Sequence, residues 1–154
     1  MSKPLPEPTP ASGSSATHEH RLRVRYAETD QMGIVHHANY LLYLEESRTR
    51  LMADRGTSYA ELERRGWALP VRRCELRFRA SAVYDEELLV RTRVGKMGAA
   101  SLTFESEVLR ASDGTLLANG SIELACLDMR SGERKLAALP EDLRALLVGG
   151  AETP

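Results

Sequence analysis

A chain of 154 residues with 42% hydrophobic content has the size of one domain and enough apolar side chains to form a core without disulfides or structural metals. Its formal net charge of −1 is not the strongly basic balance of a protein that binds nucleic acid or an anionic membrane surface. No apolar run of about 20 residues is present, and the first residues lack the apolar stretch of a secretory signal, so we expect a cytoplasmic protein without an integral membrane segment.

The first 17 residues, MSKPLPEPTPASGSSAT, are rich in proline and small polar residues and predict a disordered tail. We expect a single domain over residues 18–148 and a frayed end over residues 149–154. His18 and His20 share one face of an emerging strand but have no third ligand nearby, so no metal site is expected. Residues 19–26 alternate polar and apolar side chains and predict the first strand, with Tyr26 on its apolar face.

The strongest helical pattern runs from about Ala38 to Asp54, with an apolar stripe on one side and Gly56 well placed to end it. A short helical piece over residues 58–65 follows. The four later segments with strand character are residues 68–79, 86–95, 101–110 and 115–128, and a last helix is predicted from Pro140 to about Val148. One long helix followed by a mainly antiparallel sheet is an α+β layout.

Cysteines, glycines and basic residues in the predicted strands lead to further predictions. Cys74 and Cys126 lie in strand-like segments, form no CxxC pair and are expected to be buried, reduced thiols. Gly95 and Gly98 mark a hairpin. Small residues such as Gly120 in the last strand predict close packing of the helix against it. The strand over residues 72–79 has one basic face, which is either a solvated outer surface or part of a site for a phosphorylated carrier.

The stretch from Tyr26 to Arg50, YAETDQMGIVHHANYLLYLEESRTR, has the composition of a reaction site. Asp30 is followed by Gly33, two histidines and a helix start. The first turn of a helix has N–H groups without an intrahelical partner and a partial positive charge, so it can stabilise an oxyanion. Asp30 can act as a nucleophile or a general base, and His37 can hold the acid, orient water or help bind a carbonyl.

Structural roles would produce several of the same residues. An Asp before a Gly is often a turn former, and a His near a helix start is often a cap or a surface group. Tyr26 at a strand end could be packing, and Asn39 could cap the helix.

The combined spacing D-x-x-G-[IV]-V-x-H-x-x-Y, formed here by Asp30, Gly33, Ile34, Val35, His37 and Tyr40, resembles the signature of hotdog-fold acyl-CoA thioesterases of the 4-hydroxybenzoyl-CoA thioesterase class. With Tyr26 four residues before the acid and His37 seven residues after it, the sequence is most similar to the branch associated with the Tol-Pal gene cluster. The resemblance extends from about Arg21 to about Pro140. It implies a single-domain hotdog fold, in which a curved antiparallel sheet wraps one long helix.

The resemblance also implies an activity, the hydrolysis of an acyl-CoA thioester to a free acid and CoA, without a metal or redox cofactor. Asp30, His37 and Tyr26 are then the catalytic candidates. The implied substrate-binding positions are Gly33, Val35, His36 and Tyr40, with backbone N–H groups around His36 and His37 holding the thioester oxygen. The candidates for binding CoA are Arg73, Lys96, Gly98 and Ser101. Proteins of this class form dimers or paired dimers with the acyl tunnel at the subunit interface, so a homodimer or homotetramer is expected.

Two other functions compete with hydrolysis. A hydratase or dehydratase on the same fold would bind the same carrier, but no second histidine is paired with an acid at the spacing such enzymes use. A non-catalytic acyl-binding or scaffold protein would keep the fold without turnover. The acyl preference, the choice between CoA and acyl carrier protein, and the role of Asp30 as base or nucleophile stay open at the level of sequence.

Overall fold

The computed structural model describes residues 17–148, so the predicted tail and the frayed C-terminus lie outside the described residues, except for Thr17. The helices are α1 (Asn39–Asp54), α2 (Tyr59–Arg64) and α3 (Glu141–Val148), and a short 3-10 turn covers Tyr26–Glu28. The strands are β1 (His18–Arg23), β2 (Trp67–Ala68), β3 (Val71–Phe78), β4 (Glu87–Met97), β5 (Ser101–Arg110), β6 (Leu116–Ala125), β7 (Leu127–Asp128) and β8 (Lys135–Leu136).

The main sheet is antiparallel and has the strand order β1-β4-β5-β6-β3. The hairpin β4–β5 forms its centre, with Val90 opposite Val108 and Thr92 opposite Ser106. Strands β1 and β3 form the two edges, and α1 lies against β4 and β1. The predicted α+β layout, one long helix against an antiparallel sheet, is therefore confirmed.

The core lies between α1 and the sheet face that it covers. The predicted stripe of the helix is buried, including Leu44 and Leu51. Opposite them, Leu88, Val90 and Phe104 alternate with side chains on the other face of the sheet and are also buried. Each such large apolar side chain contributes about 1.5–3 kcal/mol when it leaves water. This burial fixes the helix across the sheet and thereby fixes the position of its N-terminal end.

A chain of three hydroxyl groups crosses this apolar contact. Ser47 Oγ lies 2.7 Å from Thr92 Oγ1, which lies 2.8 Å from Ser106 Oγ, so the middle of α1 is hydrogen-bonded to both central strands. All three residues are buried. Because a buried hydroxyl without a partner is costly, this chain favours one register of the helix on the sheet.

The prediction for the last strand is wrong in two respects. Residues 115–128 form two strands, β6 and β7, because the Cys126 N–H donates to Ala100 O and the backbone turns into a small second sheet of order β2-β7-β8. The small residue Gly120 allows close approach of a strand and not of the helix: a Cβ there would lie 1.9 Å from the backbone oxygen of Glu75 on β3.

Three other predictions, for Cys74, Tyr26 and Gly95, are wrong. Cys126 is buried as expected, but Cys74 is exposed because it lies on the edge strand β3. Strand β1 ends at Arg23, so Tyr26 belongs to the 3-10 turn and not to the strand. Gly95 lies within β4, and the hairpin turn itself begins at Gly98. Among residues 17–148, no helix combines the length and the apolar character needed to cross a bilayer.

Candidate active site

The loop between β1 and α1 folds back on itself around Asp30. An isolated bridge joins Thr29 to Val35, and the Asp30 N–H donates to Ile34 O at 3.0 Å. The turn closes with a Gly33 N–H to Asp30 O bond of 2.9 Å. Gly33 has a φ of 77°, a left-handed backbone conformation that strongly favours glycine. The local sequence therefore dictates a tight turn that presents Asp30 on one side and the start of α1 on the other.

The Asp30 carboxylate has one oxygen engaged and one available. Oδ1 accepts a hydrogen bond from the Met32 N–H at 2.9 Å, the side-chain-to-backbone contact of an Asx turn. Within residues 17–148, Oδ2 accepts no hydrogen bond and forms no ion pair. The turn-forming role is therefore real, yet it leaves half of the carboxylate free for water or a ligand.

The N–H groups at the start of α1 are not equivalent. His36 donates its N–H to Glu28 O at 2.9 Å, so this group is engaged within the loop, and the expectation that it holds a thioester oxygen stays a prediction. The Ala38 N–H makes only a long contact of 3.3 Å with His36 Nδ1. In the part of the chain that the structure describes, the His37 N–H has no acceptor. His37 N–H is thus the open donor at the positive end of the helix dipole.

The His37 side chain sits among aromatic rings. Its centroid lies 4.2 Å from that of His36 and 6.4 Å from that of Phe78. Phe78 is half exposed at the end of the edge strand β3, and it also contacts Tyr40 at 5.3 Å. No hydrogen bond joins His37 to Asp30 among the described residues. The two side chains share one loop but do not form a closed dyad within a single chain.

Tyr26 lies on the outside of the same loop. Its side chain is 78% exposed, and its ring makes an edge-to-face contact with Tyr84 at 5.6 Å. Among the described residues it has no hydrogen bond to Asp30. A single chain therefore brings Tyr26, Asp30 and His37 into one region without linking them to one another.

The predicted substrate-binding positions divide into an open pair and a buried pair. Gly33 is open, since a Cβ at this position would meet no atom within 4 Å, and His36 is exposed. Val35 and Tyr40 are only 4% and 2% exposed and belong to the hydrophobic core. Burial is the main cause that raises the pKa of Tyr40. The assignment of Val35 and Tyr40 to substrate binding stays a prediction.

The predicted CoA-binding residues lie at the other end of β3. Arg73 pairs with Glu75 at 3.5 Å, and Gly98 donates its N–H to Ser101 O in the β4–β5 turn. The hydrogen bond from Arg72, followed by the charges of Arg72, Arg73 and Lys96, lowers the pKa of Glu123. Because the five-residue step along β3 from Arg73 to Phe78 spans about 17 Å, one chain holds this basic cluster away from the loop of Asp30.

From the sequence, Glu28 was not identified as a buried residue beside the candidate site. It is the buried carboxylate among the described residues, with a side chain only 8% exposed. Asn39 was considered as a helix cap, but it is the first residue of α1, and its side chain donates to Glu28 O at 2.9 Å. An acid in a short turn carries no sequence signal that distinguishes a buried from an exposed carboxylate.

Two clefts lie near these elements, and neither is lined by Asp30 or His37. One, of about 330 Å³, lies on the sheet face opposite α1 and is lined mainly by charged and polar side chains. The other, of about 400 Å³, lies between β1 and α1 and is lined in part by Glu28 and Tyr43. His18 and His20 do not form a metal site with their neighbours: His18 contacts Asp54 at 2.8 Å, and no group of three or more metal-binding side chains occurs among residues 17–148.

Comparison with known proteins identifies the family. The model of the thioesterase-like superfamily matches residues 24–147. The chain is 30% identical over 125 residues to the acyl-CoA thioesterase YbgC of Haemophilus influenzae, covering 80% of this chain and 89% of that protein. It is 31% identical over 124 residues to the acyl-CoA thioester hydrolase YbgC of Escherichia coli O6:H1, covering 80% and 90%.

Among solved structures, the chain is similar to the hypothetical protein TT1821 from Thermus thermophilus. The TM-score is 0.80 at 40% sequence identity, and the match covers 87% of this chain and 99% of that chain. The chain is also similar in fold to a solved 4-hydroxybenzoyl-CoA thioesterase, with a TM-score of 0.78 at 19% identity over 85% of this chain and 98% of that chain, so the predicted hotdog fold is confirmed.

Proposed function

The chain belongs to the thioesterase-like superfamily and hydrolyses an acyl-CoA thioester to a free acid and CoA, and we propose that Asp30 and the start of α1 carry out this reaction. One observation carries the proposal. On the two arms of one loop, the turn around Gly33 presents a carboxylate and a helix N-terminus, and among the described residues Asp30 Oδ2 and the His37 N–H have no hydrogen-bond partner. A thioester needs both groups: one to attack or activate water, and one to stabilise the developing oxyanion.

In the proposed reaction, the His37 N–H donates a hydrogen bond to the thioester oxygen. A well-placed donor of this kind stabilises the oxyanion by about 2.7–4 kcal/mol. Asp30 Oδ2 then either removes a proton from the attacking water or attacks the carbonyl carbon itself and forms an anhydride that water hydrolyses. Both routes end with the acyl group as a carboxylic acid and with the CoA sulfur protonated.

The remaining candidates act around these two groups. We assign the His37 imidazole and the Tyr26 hydroxyl to orienting water or the acid, which requires Tyr26 to turn inward from its exposed position. Gly33 and His36 border the bound thioester, and Val35 and Tyr40 form the buried floor beneath it.

A second copy of the chain would complete the site. The free edge of β3 can pair with β3 of another copy, and antiparallel pairing would bring the Arg73 and Lys96 end of one copy beside the Phe78 end of the other. Basic side chains there suit the phosphates of CoA, with Gly98 and Ser101 nearby. We therefore propose a homodimer, or a tetramer of paired dimers. We also propose that the protein is located in the cytoplasm and belongs to the Tol-Pal-associated branch.

The test is the release of free thiol from a panel of short, long and aromatic acyl-CoA thioesters, with an acyl carrier protein thioester included. Wild type is compared with Asp30→Asn, whose amide can still accept the Met32 hydrogen bond. We expect wild-type turnover, and loss of turnover in Asp30→Asn with binding of a non-hydrolysable CoA analogue retained. An Asp30→Asn variant with wild-type turnover would overturn the role of Asp30, and an inert wild type that binds acyl-CoA would indicate a non-catalytic acyl-binding protein.

A further inference from the structure

A buried hydrogen-bond network behind the loop links Glu28 to α1. The Tyr43 hydroxyl donates to Glu28 Oε1 at 3.0 Å, and the Arg25 N–H donates to the same oxygen at 2.8 Å. The second oxygen, Oε2, lies 3.2 Å from the guanidinium of Arg25. Tyr43 is buried in the core, whereas Arg25 is exposed. The Glu28 carboxylate is therefore held on one side by Tyr43 of α1 and on the other by Arg25, which follows β1.

The backbone of Glu28 holds the other half of the loop. Its carbonyl oxygen accepts hydrogen bonds from the His36 N–H and from Asn39 Nδ2, both at 2.9 Å. His36 immediately precedes the open donor at His37, and Glu28 itself lies two residues before Asp30. One residue thus fixes both arms of the turn that carries the two groups proposed to react.

The protonation state of Tyr43 suits this role. Burial, followed by the hydrogen bond to Glu28, raises the pKa of Tyr43 above its ordinary value. Its hydroxyl consequently remains a donor at every pH at which the protein would work. A buried carboxyl group with no hydrogen bond would be costly, so the contacts of Glu28 explain how this side chain is accommodated in the interior.

We propose that Glu28 is a positioning residue, which through Tyr43 and Asn39 sets the separation between the Asp30 carboxylate and the His37 N–H. This inference rests on the proposed function of those two groups. Glu28 does not touch the thioester. Its effect arises because a displacement of about 1 Å at a reacting group can cost on the order of 100-fold in rate.

The test compares three variants of the network with a control on the same helix. Glu28→Ala removes the anchor, and kcat should fall by about 10- to 100-fold while KM changes less than about twofold. Glu28→Gln keeps an oxygen that can accept from both Tyr43 and Arg25, so it should retain most of the wild-type kcat. Tyr43→Phe should lower kcat less than Glu28→Ala. The control, Ser47→Ala, removes a buried hydrogen bond one helical turn after Tyr43 and should leave kcat unchanged.

The variants also separate positioning from other roles. If Glu28→Gln lost as much kcat as Glu28→Ala, Glu28 would act through its charge or a proton, and the positioning role would be overturned. The same conclusion would follow if Glu28→Ala and Tyr43→Phe changed kcat no more than Ser47→Ala. Should Glu28→Ala fail to fold, Tyr43→Phe and Glu28→Gln still decide the question.

A second readout does not depend on activity. Hydrogen exchange at the His36 and Gly33 amides should accelerate in Tyr43→Phe and Glu28→Ala, but not in Glu28→Gln or Ser47→Ala. If wild type turned over no thioester, the proposed function would fail, whereas exchange would still show whether Glu28 holds the loop. Unchanged exchange at both amides in Tyr43→Phe and Glu28→Ala would overturn the inference.

Discussion

Polar groups lie both in the loop at the start of α1 and in the middle of α1, but their hydrogen bonding differs between the two regions. In the middle, Ser47, Thr92 and Ser106 form a buried chain in which each hydroxyl has a partner. At the start, Asp30 Oδ2 and the His37 N–H have none among the described residues. Satisfied polar groups specify how helix and sheet fit together, whereas open ones are available to a substrate.

The difference arises from what surrounds each region. The middle of α1 is enclosed by Leu44, Leu51 and the central strands, so the hydroxyl groups of Ser47, Thr92 and Ser106 are shielded from water and are paired with one another. The start of α1 lies beside the free edge strand β3 and a tight turn, where water or a ligand can reach it. Substitutions should therefore affect activity at the start of α1 and stability in its middle.

The largest expected effect is on catalysis at the start of the helix. Asp30→Asn should reduce kcat by about 10²- to 10⁴-fold, the range for loss of an acid–base group, because the amide can neither attack nor accept a proton. The free energy of unfolding should change by less than about 0.5 kcal/mol, since an Asn side chain also supports this turn. Steady-state kinetics and urea denaturation of the same preparation measure both. A loss of stability that parallels the loss of rate would remove the contrast with the middle of α1.

The second-largest expected effect is a loss of folding stability at the contact between β6 and β3. Gly120→Ala should destabilise the fold by about 3 kcal/mol, the upper part of the range for overpacking, because the new Cβ would lie 1.9 Å from the Glu75 carbonyl oxygen. The matched control is Gly33→Ala, where the Cβ meets no atom within 4 Å and the cost is only that of a left-handed alanine, about 1–2 kcal/mol. Denaturation midpoints compare the two, and equal losses would contradict the close approach of the strands.

A substitution in the hydroxyl chain should lower stability and leave kcat unchanged, the opposite of the effect expected for Asp30→Asn. Thr92→Val keeps the shape of the side chain but leaves Ser47 and Ser106 without their shared partner, at a cost of about 1–3 kcal/mol. Turnover per folded molecule should stay at the wild-type level, because Thr92 lies on β4 against the middle of α1 and outside the loop that carries Asp30. A clear fall in kcat at a temperature where the variant is fully folded would show that the middle of α1 also shapes the reaction site.

The smallest effect is a difference in acid stability that leaves both regions of α1 untouched. Hydrogen bonds from Arg130 lower the pKa of Asp128, in the second sheet, from 3.8 to about 2. Because the folded-state pKa is the lower one, the stabilisation is present above about pH 4 and is lost as the pH falls from 3.8 towards 2.

Asp128→Asn tests this contribution. Its loss of stability relative to wild type should be visible at neutral pH and should shrink on acidification, as chemical denaturation at a series of pH values would show. A difference from wild type that is constant down to pH 2 would contradict the lowered pKa. Such measurements also separate acid unfolding from any loss of activity in acid.

The sequence predicted the long helix and the turn at Gly33 correctly, but it did not predict the bend between β6 and β7 or the exposure of Cys74. The apolar spacing of Leu44 and Leu51 defined α1 to within one residue at its start, and Gly33 marked the turn beside Asp30. The division of residues 115–128 into two strands was missed, because a bend that depends on a hydrogen bond from Cys126 to Ala100 leaves no periodic signal. The exposure of Cys74 was missed because the sequence does not reveal which strand lies at an edge.

The sequence by itself determined the local features: the helix, the tight turn, and the presence of an acid and helix N–H groups within one loop. These follow from side-chain period and backbone preference over a few residues. Only the tertiary structure decided which of those groups are open. It engaged the His36 N–H with Glu28, left that of His37 without an acceptor within residues 17–148, and buried Glu28 against Tyr43. The physical reason is that burial and hydrogen-bond partners depend on residues distant in sequence, and these meet only when α1 packs on the sheet.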